Sequence, residues 1–233
     1  VVQVLAVCAP SRRQGVAVIL YKAIFFDFDG VLVESMEVKI EAFRSLYAPY
    51  GREIEEKAFA HYLANTGINR GIRITECHRA FLGRELSEAE VRTLSNRFGE
   101  LVEDRVVACA WVPGARAVLE RWSGKLPLFL VSATPNAELA RILERRGMTR
   151  YFTSVHGSPP DKITVIGRLL EEHGWSGEQV LMVGDGPPDY RAAAANGVAF
   201  VGRLHQGYPN PFPDEVRTVN DLKKLTFEDE VVS

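Results

Sequence analysis

A doubly wound α/β core on a parallel sheet, with an all-helical segment inserted into it, is the fold class that this sequence predicts. Three observations carry the prediction. Four apolar runs stop at glycine, serine or aspartate, or just short of an arginine: AIFFDFDG (23–30), PLFLVSAT (127–134), QVLMVGDG (179–186) and VAFVGR (198–203). Such unbroken hydrophobicity marks strands covered on both faces, as parallel strands are. Helical stretches at 135–146, 162–173 and 189–196 separate the last three runs, and strand alternating with helix is the pattern of α/β winding. Residues 36–108 break the alternation, with no convincing strand and several amphipathic helical stretches.

Taken in order, the chain opens on VVQVLAVCAP, followed by Ser11, Arg12 and Arg13. Basic residues after a short apolar run invert the order of a secretory leader, so 1–20 read as an N-terminal extension of unknown role. The run 23–30 supplies the first strand. Within the insertion, SEAEVRTLSNRFGELVEDRVV (87–107) begins with Ser87 and Glu90 in capping-box spacing and puts Val91, Leu94, Phe98, Leu101, Val102 and Val106 on one face. The chain returns near WVPGARAVLERW (111–122), where Pro113 is expected to open a helix. Gly174 and Gly197 are helix stops, and GYPNPFPDEV (207–216) is irregular before a last short strand and helix. The expected organisation is a core of 21–35 and 109–233 with a helical domain of 36–108 inserted.

With 28 basic against 30 acidic residues among 233, the formal charge of −2 carries no field for nucleic acid or a membrane surface, which leaves a small molecule as the expected partner. Cys8, Cys77 and Cys109 are odd in number and far apart, fitting neither a disulfide framework nor a zinc knuckle and suiting a reducing cytoplasm. No stretch approaches the ~20 apolar residues of a membrane span. His61, His78, His156, His173 and His205 have no metal spacing, and Trp111, Trp122 and Trp175 read as packing residues.

Polar residues collect where ligands of open α/β sheets bind, beyond the carboxyl ends of the strands. Asp27 and Asp29 end the first run, Ser132 and Thr134 the second, Asp185 the third, with Asp189 one helical turn on and Lys162 opening a helix. Four carboxylates in one crevice repel one another and need a cation. Magnesium, which takes oxygen ligands and keeps waters for a phosphate, answers that need, with Asp27 and Asp185 as ligands and Lys162 as a second positive charge. Alternate strand residues point to opposite sides, so Asp27 and Asp29 share a cavity only if the backbone turns, which Gly30 permits. Each residue also has a plainer reading: aspartates of a turn, Lys162 as a solvated helix residue, Asp189 at a helix N-terminus, Ser132 as the cap of the helix opened by Pro135.

Over about residues 22–203 the chain resembles the haloacid dehalogenase superfamily, on the helical-cap branch that includes phosphoglycolate phosphatases and β-phosphoglucomutases. DFDGVLVES, VSATP, PPDK and GDGPPD match its sequence blocks in order. The resemblance implies a Rossmann-like core with a cap domain, Asp27 as nucleophile, Asp29 as general acid/base, Ser132 and the adjacent Ala133 on the phosphoryl group, and Lys162 beside it. It implies Mg2+ held among Asp27, Asp29, Asp185 and Asp189. Phosphoryl transfer needs an in-line nucleophile, neutralised oxygens and a proton for the leaving alkoxide, and these residues supply such groups. An Asp29 that gives and takes a proton should have a raised pKa. NTGINRGIR (65–73) has Gly67 and Gly71 interrupting a helical region, which is expected to bring Asn69, Arg70 and Arg73 to a loop of the cap. Arg70 is the first candidate for gripping a distal anion, against the alternative of a solvated arginine, and Asn136 suits either phosphate contact or a helix N-terminus.

The activity implied is that of a magnesium-dependent phosphatase acting on a small phosphorylated metabolite, a sugar phosphate or phosphoglycolate, through an aspartyl-phosphate. The alternatives are a β-phosphoglucomutase-like mutase and a catalytically silent module of the same fold. GDGPPD is closer to the phosphatase pattern, although Gly186 stands where relatives often carry serine or threonine and Pro187 and Pro188 stiffen the loop before Asp189. A cytoplasmic monomer or homodimer is expected.

Overall fold

The structure, a computed structural model, describes residues 21–65 and 67–227. The expectations for residues 1–20, Cys8 included, lie outside the described residues. The chain runs through β1 (Ala23–Phe26), then α1 (Met36–Tyr47), α2 (Arg52–Ala64), α3 (Arg70–Leu82) and α4 (Glu88–Ala108), all helical as the broken alternation predicts. It continues through α5 (Ala115–Trp122), β2 (Leu128–Pro135), α6 (Asn136–Arg145), β3 (Ser154–Ser158), α7 (Lys162–His173), β4 (Val180–Gly184), α8 (Pro187–Ala195), β5 (Ala199–Arg203) and β6 (Thr218–Val219).

The six strands form one sheet in the order β3-β2-β1-β4-β5-β6, and every pairing is parallel. β1 lies at the centre, with Ile24 paired to Leu128 on one side and Leu181 on the other. Winding runs outward from β1 to β3 in one direction and from β4 to β6 in the other, so the order reverses between β1 and β4. A crevice opens at that reversal beyond the strands' carboxyl ends. Asp27 and Asp185, the residues that directly follow β1 and β4, stand there.

Both sheet faces are covered, as the apolar runs require. Ile24 and Phe26 join a large cluster that continues through Trp122, Leu130 and Leu139 to Phe43 and Phe98 of the inserted helices. The alternate residues Ala23 and Phe25 join a smaller cluster with Phe129, Ile166, Leu169 and Met182 under α7 and α8. α4 carries the expected capping box, Ser87 accepting from Glu90 N while the Glu90 carboxylate accepts from Ser87 N at 2.8 Å. Its buried stripe steps by four through Phe98, Val102 and Val106, which leaves Leu101 on the exposed edge instead of within the face.

Several boundaries differ from the sequence reading. α5 starts at Ala115 behind Gly114 and not at Pro113, Pro135 closes β2, and α8 starts at Pro187, whose fixed φ suits a first helical turn. β3, SVHGS, lies at the sheet edge, so it carries no apolar run to betray it. The last short strand is present as β6, but among the described residues no helix follows it. The segment 65–73 is not a loop throughout: Asn69 caps α3 by accepting from Gly71 N at 2.8 Å, and Gly71, Arg70 and Arg73 are helical.

Two connections join the inserted helices to the sheet, and they run side by side. Glu34 N donates to Ala110 O and Val112 N to Leu32 O, both at 3.0 Å. Arg146 Nη1 donates to the carbonyls of Val106, Val107 and Cys109 at the end of α4. Among the described residues, no helix is long and apolar enough to cross a membrane.

Candidate active site

At the crevice, oxygens of Asp27, Asp185 and Asp189 lie within 4.8 Å of one another. Asp27 is set by β1, its N–H donating to Val183 O at 2.9 Å. Asp189 is the third residue of α8 and takes the helix N-terminal place weighed for it, one oxygen accepting from Gly186 N at 3.1 Å, while the other meets Lys162 Nζ at 2.5 Å. Lys162 opens α7 and is buried, with Nζ 2.9 Å from Asp27 Oδ1. That contact has ion-pair distance but not hydrogen-bond direction, so the buried Oδ1 has no hydrogen-bond partner.

Burial pushes the Asp27 carboxyl up to about 7; Lys162 opposes the shift while Asp189 and Asp29 add to it. Burial also raises Asp185 and Asp189. Burial alone would lower Lys162, but Asp189 and Asp27 outweigh it and hold the ammonium above its usual range. One ammonium thus faces three carboxylates. A donor set of three carboxylates with an orphaned buried oxygen fits a hard dication such as Mg2+.

Two features of this corner escaped the sequence reading. His205, given little weight there, sits 2.7 Å from Asp185 Oδ2 through Nε2. Its Nδ1 lies 2.6 Å from Arg203 Nη1, and because arginine only donates, Nδ1 accepts and Nε2–H points at Asp185. The available signal was its place just beyond β5, where the other polar groups also collect. Gly30 has φ +72°, and a Cβ there would collide with the Asp185 carboxylate and the His205 ring, so this glycine serves close approach as well as the turn.

Asp29 departs from expectation twice. Its carboxylate does not join the acidic cluster: it accepts from Ser35 Oγ at 2.7 Å, from Thr134 Oγ1 at 2.8 Å and from Lys39 Nζ. Its pKa is lowered, not raised. Burial works upward, but Lys39 and the hydrogen bonds from Ser35 and Thr134 outweigh it. Ser35 and Lys39 stand four residues apart on one face at the start of α1, and that helix delivers both to Asp29. Nothing in the sequence separates Lys39 from other helix lysines.

A cavity of about 70 Å³ separates the strand ends from the inserted helices, with Asp27, Asp29, Ser132 and Ala133 on the sheet side and Arg70 and Arg73 on the other. Ser132 does not cap α6; its Oγ accepts from Thr134 N at 3.1 Å. Arg70 is held by both oxygens of Glu138 on α6, at 2.8 and 2.6 Å, with Ser95 O at 3.1 Å and the Phe98 ring below it. Asn69 lines an adjoining groove of about 350 Å³, where its side chain donates to Ser158 Oγ at 2.5 Å. Asn136 is exposed and lines neither space: it accepts from Gly157 N at 2.6 Å and donates to Pro159 O, tying α6 to the loop after β3.

A family model described as haloacid dehalogenase-like hydrolase matches residues 21–197. A phosphoglycolate phosphatase of Pseudomonas savastanoi is 27% identical over 221 residues, covering 88% of this chain and 79% of that protein. A 5'-nucleotidase of Pseudomonas aeruginosa is 27% identical over 214 residues, covering 86% and 89%. Among solved structures, β-phosphoglucomutase from Clostridium difficile superimposes with a TM-score of 0.70 at 19% identity, over 89% of this chain and 94% of that one, a likeness of fold.

Proposed function

The chain belongs to the haloacid dehalogenase-like hydrolases, and from that premise we propose that it hydrolyses a small phosphorylated metabolite with Mg2+, through an aspartyl-phosphate on Asp27. The observation that carries the reading is Asp27 Oδ1, buried, without a hydrogen-bond donor and beside the Lys162 ammonium. With that oxygen turned to the ammonium and to the place of the cation, the other Asp27 oxygen is left to attack. The similarity to a phosphoglycolate phosphatase supports a phosphoric monoester as substrate.

In the first half-reaction an Asp27 oxygen bonds to phosphorus as the bond from phosphorus to the leaving oxygen breaks. Lys162 and Ser132 bind the phosphoryl oxygens and hold them in line. Asp27, Asp185 and Asp189 would hold Mg2+, which supplies further neutralisation of phosphate charge. Asp29 faces the leaving group. Paired with Lys39, it rests as the carboxylate; an arriving phosphate ester raises its proton affinity, so that it takes up the proton a phosphate monoanion carries in and donates it to the leaving alkoxide. The resulting Asp29 carboxylate then takes a proton from the water that attacks phosphorus, and Asp27 and inorganic phosphate are released. Helices α1–α4 act as a cap that keeps bulk water from this space.

An aryl phosphate, offered with and without magnesium, tests the reading. Turnover should require the metal, and Asp27→Asn should lower kcat on the order of a thousandfold or more. Equal turnover by Asp27→Asn, or none by the wild type, overturns the mechanism, and isomerised product with little free phosphate would point to a mutase.

A further inference from the structure

Three cations line the cavity, and two are already matched to carboxylates: Lys39 to Asp29 and Arg70 to Glu138. Arg73 has no carboxylate partner among the described residues. It is only 4% exposed. Its Nη2 donates to Asn65 O at 2.6 Å, and its Nε is buried with no hydrogen-bond partner. The guanidinium lies 3.9 Å from the ring centre of Tyr62 and 5.7 Å from that of Phe43, which eases its charge without accepting its N–H groups. A buried charge left without an anion is costly, and such a group is retained where a ligand completes it.

Its position says which ligand. Asp29, on the sheet side, meets the leaving oxygen, so whatever that oxygen carries extends toward the inserted helices, where Arg73 stands. The cavity that Asp29 and Arg73 line, about 70 Å³, leaves room for few atoms beyond the phosphoryl group. We propose that Arg73 determines specificity by binding a carboxylate on the leaving group, so that the substrates are short phosphate esters of hydroxy acids and not of neutral polyols. A planar carboxylate matches the guanidinium fork, and the two aromatic rings hold that fork in orientation. The Arg70 expected from sequence to grip this distal anion is neutralised by Glu138 instead.

This inference rests on the phosphatase reading above, and the test separates the two. The measurement is the ratio of kcat/KM for phosphoglycolate to that for 2-hydroxyethyl phosphate, which has the same length but no charge at its far end, with an aryl phosphate as a third substrate. Wild type should favour the acid by at least about tenfold, because a site built to bind a polar group rejects the analogue lacking it. Arg73→Met should bring the ratio close to one, and Arg73→Lys should restore part of it, acting through KM for the acid more than through kcat. A purely structural role would lower both substrates together and leave the ratio unchanged. If Arg73→Met does not fold, the lysine variant, which keeps the charge, carries the comparison. Wild-type turnover of all three esters without preference, or a preference that survives in Arg73→Met or stays undiminished in Arg73→Lys, overturns the role of Arg73 while leaving the phosphatase intact. Stronger turnover of a two-carbon bisphosphate than of the acid overturns the carboxylate assignment, and turnover of no ester overturns both readings.

Discussion

Lys39 sets the charge of Asp29, and with it the pH at which the proposed base is available. Burial alone would hold the Asp29 proton; Lys39, with Ser35 and Thr134, makes the carboxylate the resting form. Removing the ammonium in Lys39→Met therefore raises the Asp29 pKa, and the acidic limb of the rate of phosphoenzyme hydrolysis, the step in which Asp29 acts as base, should move to higher pH. A profile that stays in place would mean that Ser35 and Thr134 suffice. The sequence disclosed Asp27, Asp185, Asp189 and Lys162 because each sits at the end of an apolar run or the start of a helix, where position alone brings it to the crevice. Lys39 and His205 were not legible in this way. Each reaches its carboxylate from another element, and only the folded chain sets that meeting.

The element most in need of its partner is α3, whose Arg70 crosses to Glu138 at the start of α6. The pair is buried and bidentate, with α4 close enough that a Cβ on Gly99 would stand 2.8 Å from Glu138 Oε2 and 3.0 Å from Arg70 Nη1. Glu138→Ala leaves the guanidinium buried and unpaired, which should cost about 3–5 kcal/mol, read from the urea midpoint. A loss below about 1 kcal/mol would show that Ser95 O and the Phe98 ring satisfy Arg70 unaided. Periodicity disclosed α4 and the central strands, since both bury a continuous apolar face. It missed β3, which pairs along one edge and carries polar residues, and it took Asn69–Arg73 for loop because two glycines weigh against helix, although the Asn69 cap and tertiary contacts form one.

For the molecule as a whole, the acidic cluster ties stability to pH. Folded Asp27 keeps its proton up to about pH 7, against an ordinary value of 3.8, and Asp185 and Asp189 shift the same way. The folded state then binds more protons than the unfolded one across that window, so the contribution to stability is complete below pH 3.8 and is lost as pH rises through about 7. With divalent ions chelated, Tm should fall from pH 6 to pH 8, less steeply in Asp27→Asn, and magnesium should raise Tm more at pH 8 than at pH 6. A flat profile, or a magnesium effect larger at the lower pH, would contradict the assignment of Asp27. The paired backbone bonds at Glu34–Ala110 and Leu32–Val112, with Arg146 clasping the end of α4, join the outgoing and returning chain into one ribbon. Any swing of the four helices over the sheet turns about that ribbon as about a single door hinge, and opening the crevice becomes rotation along one axis.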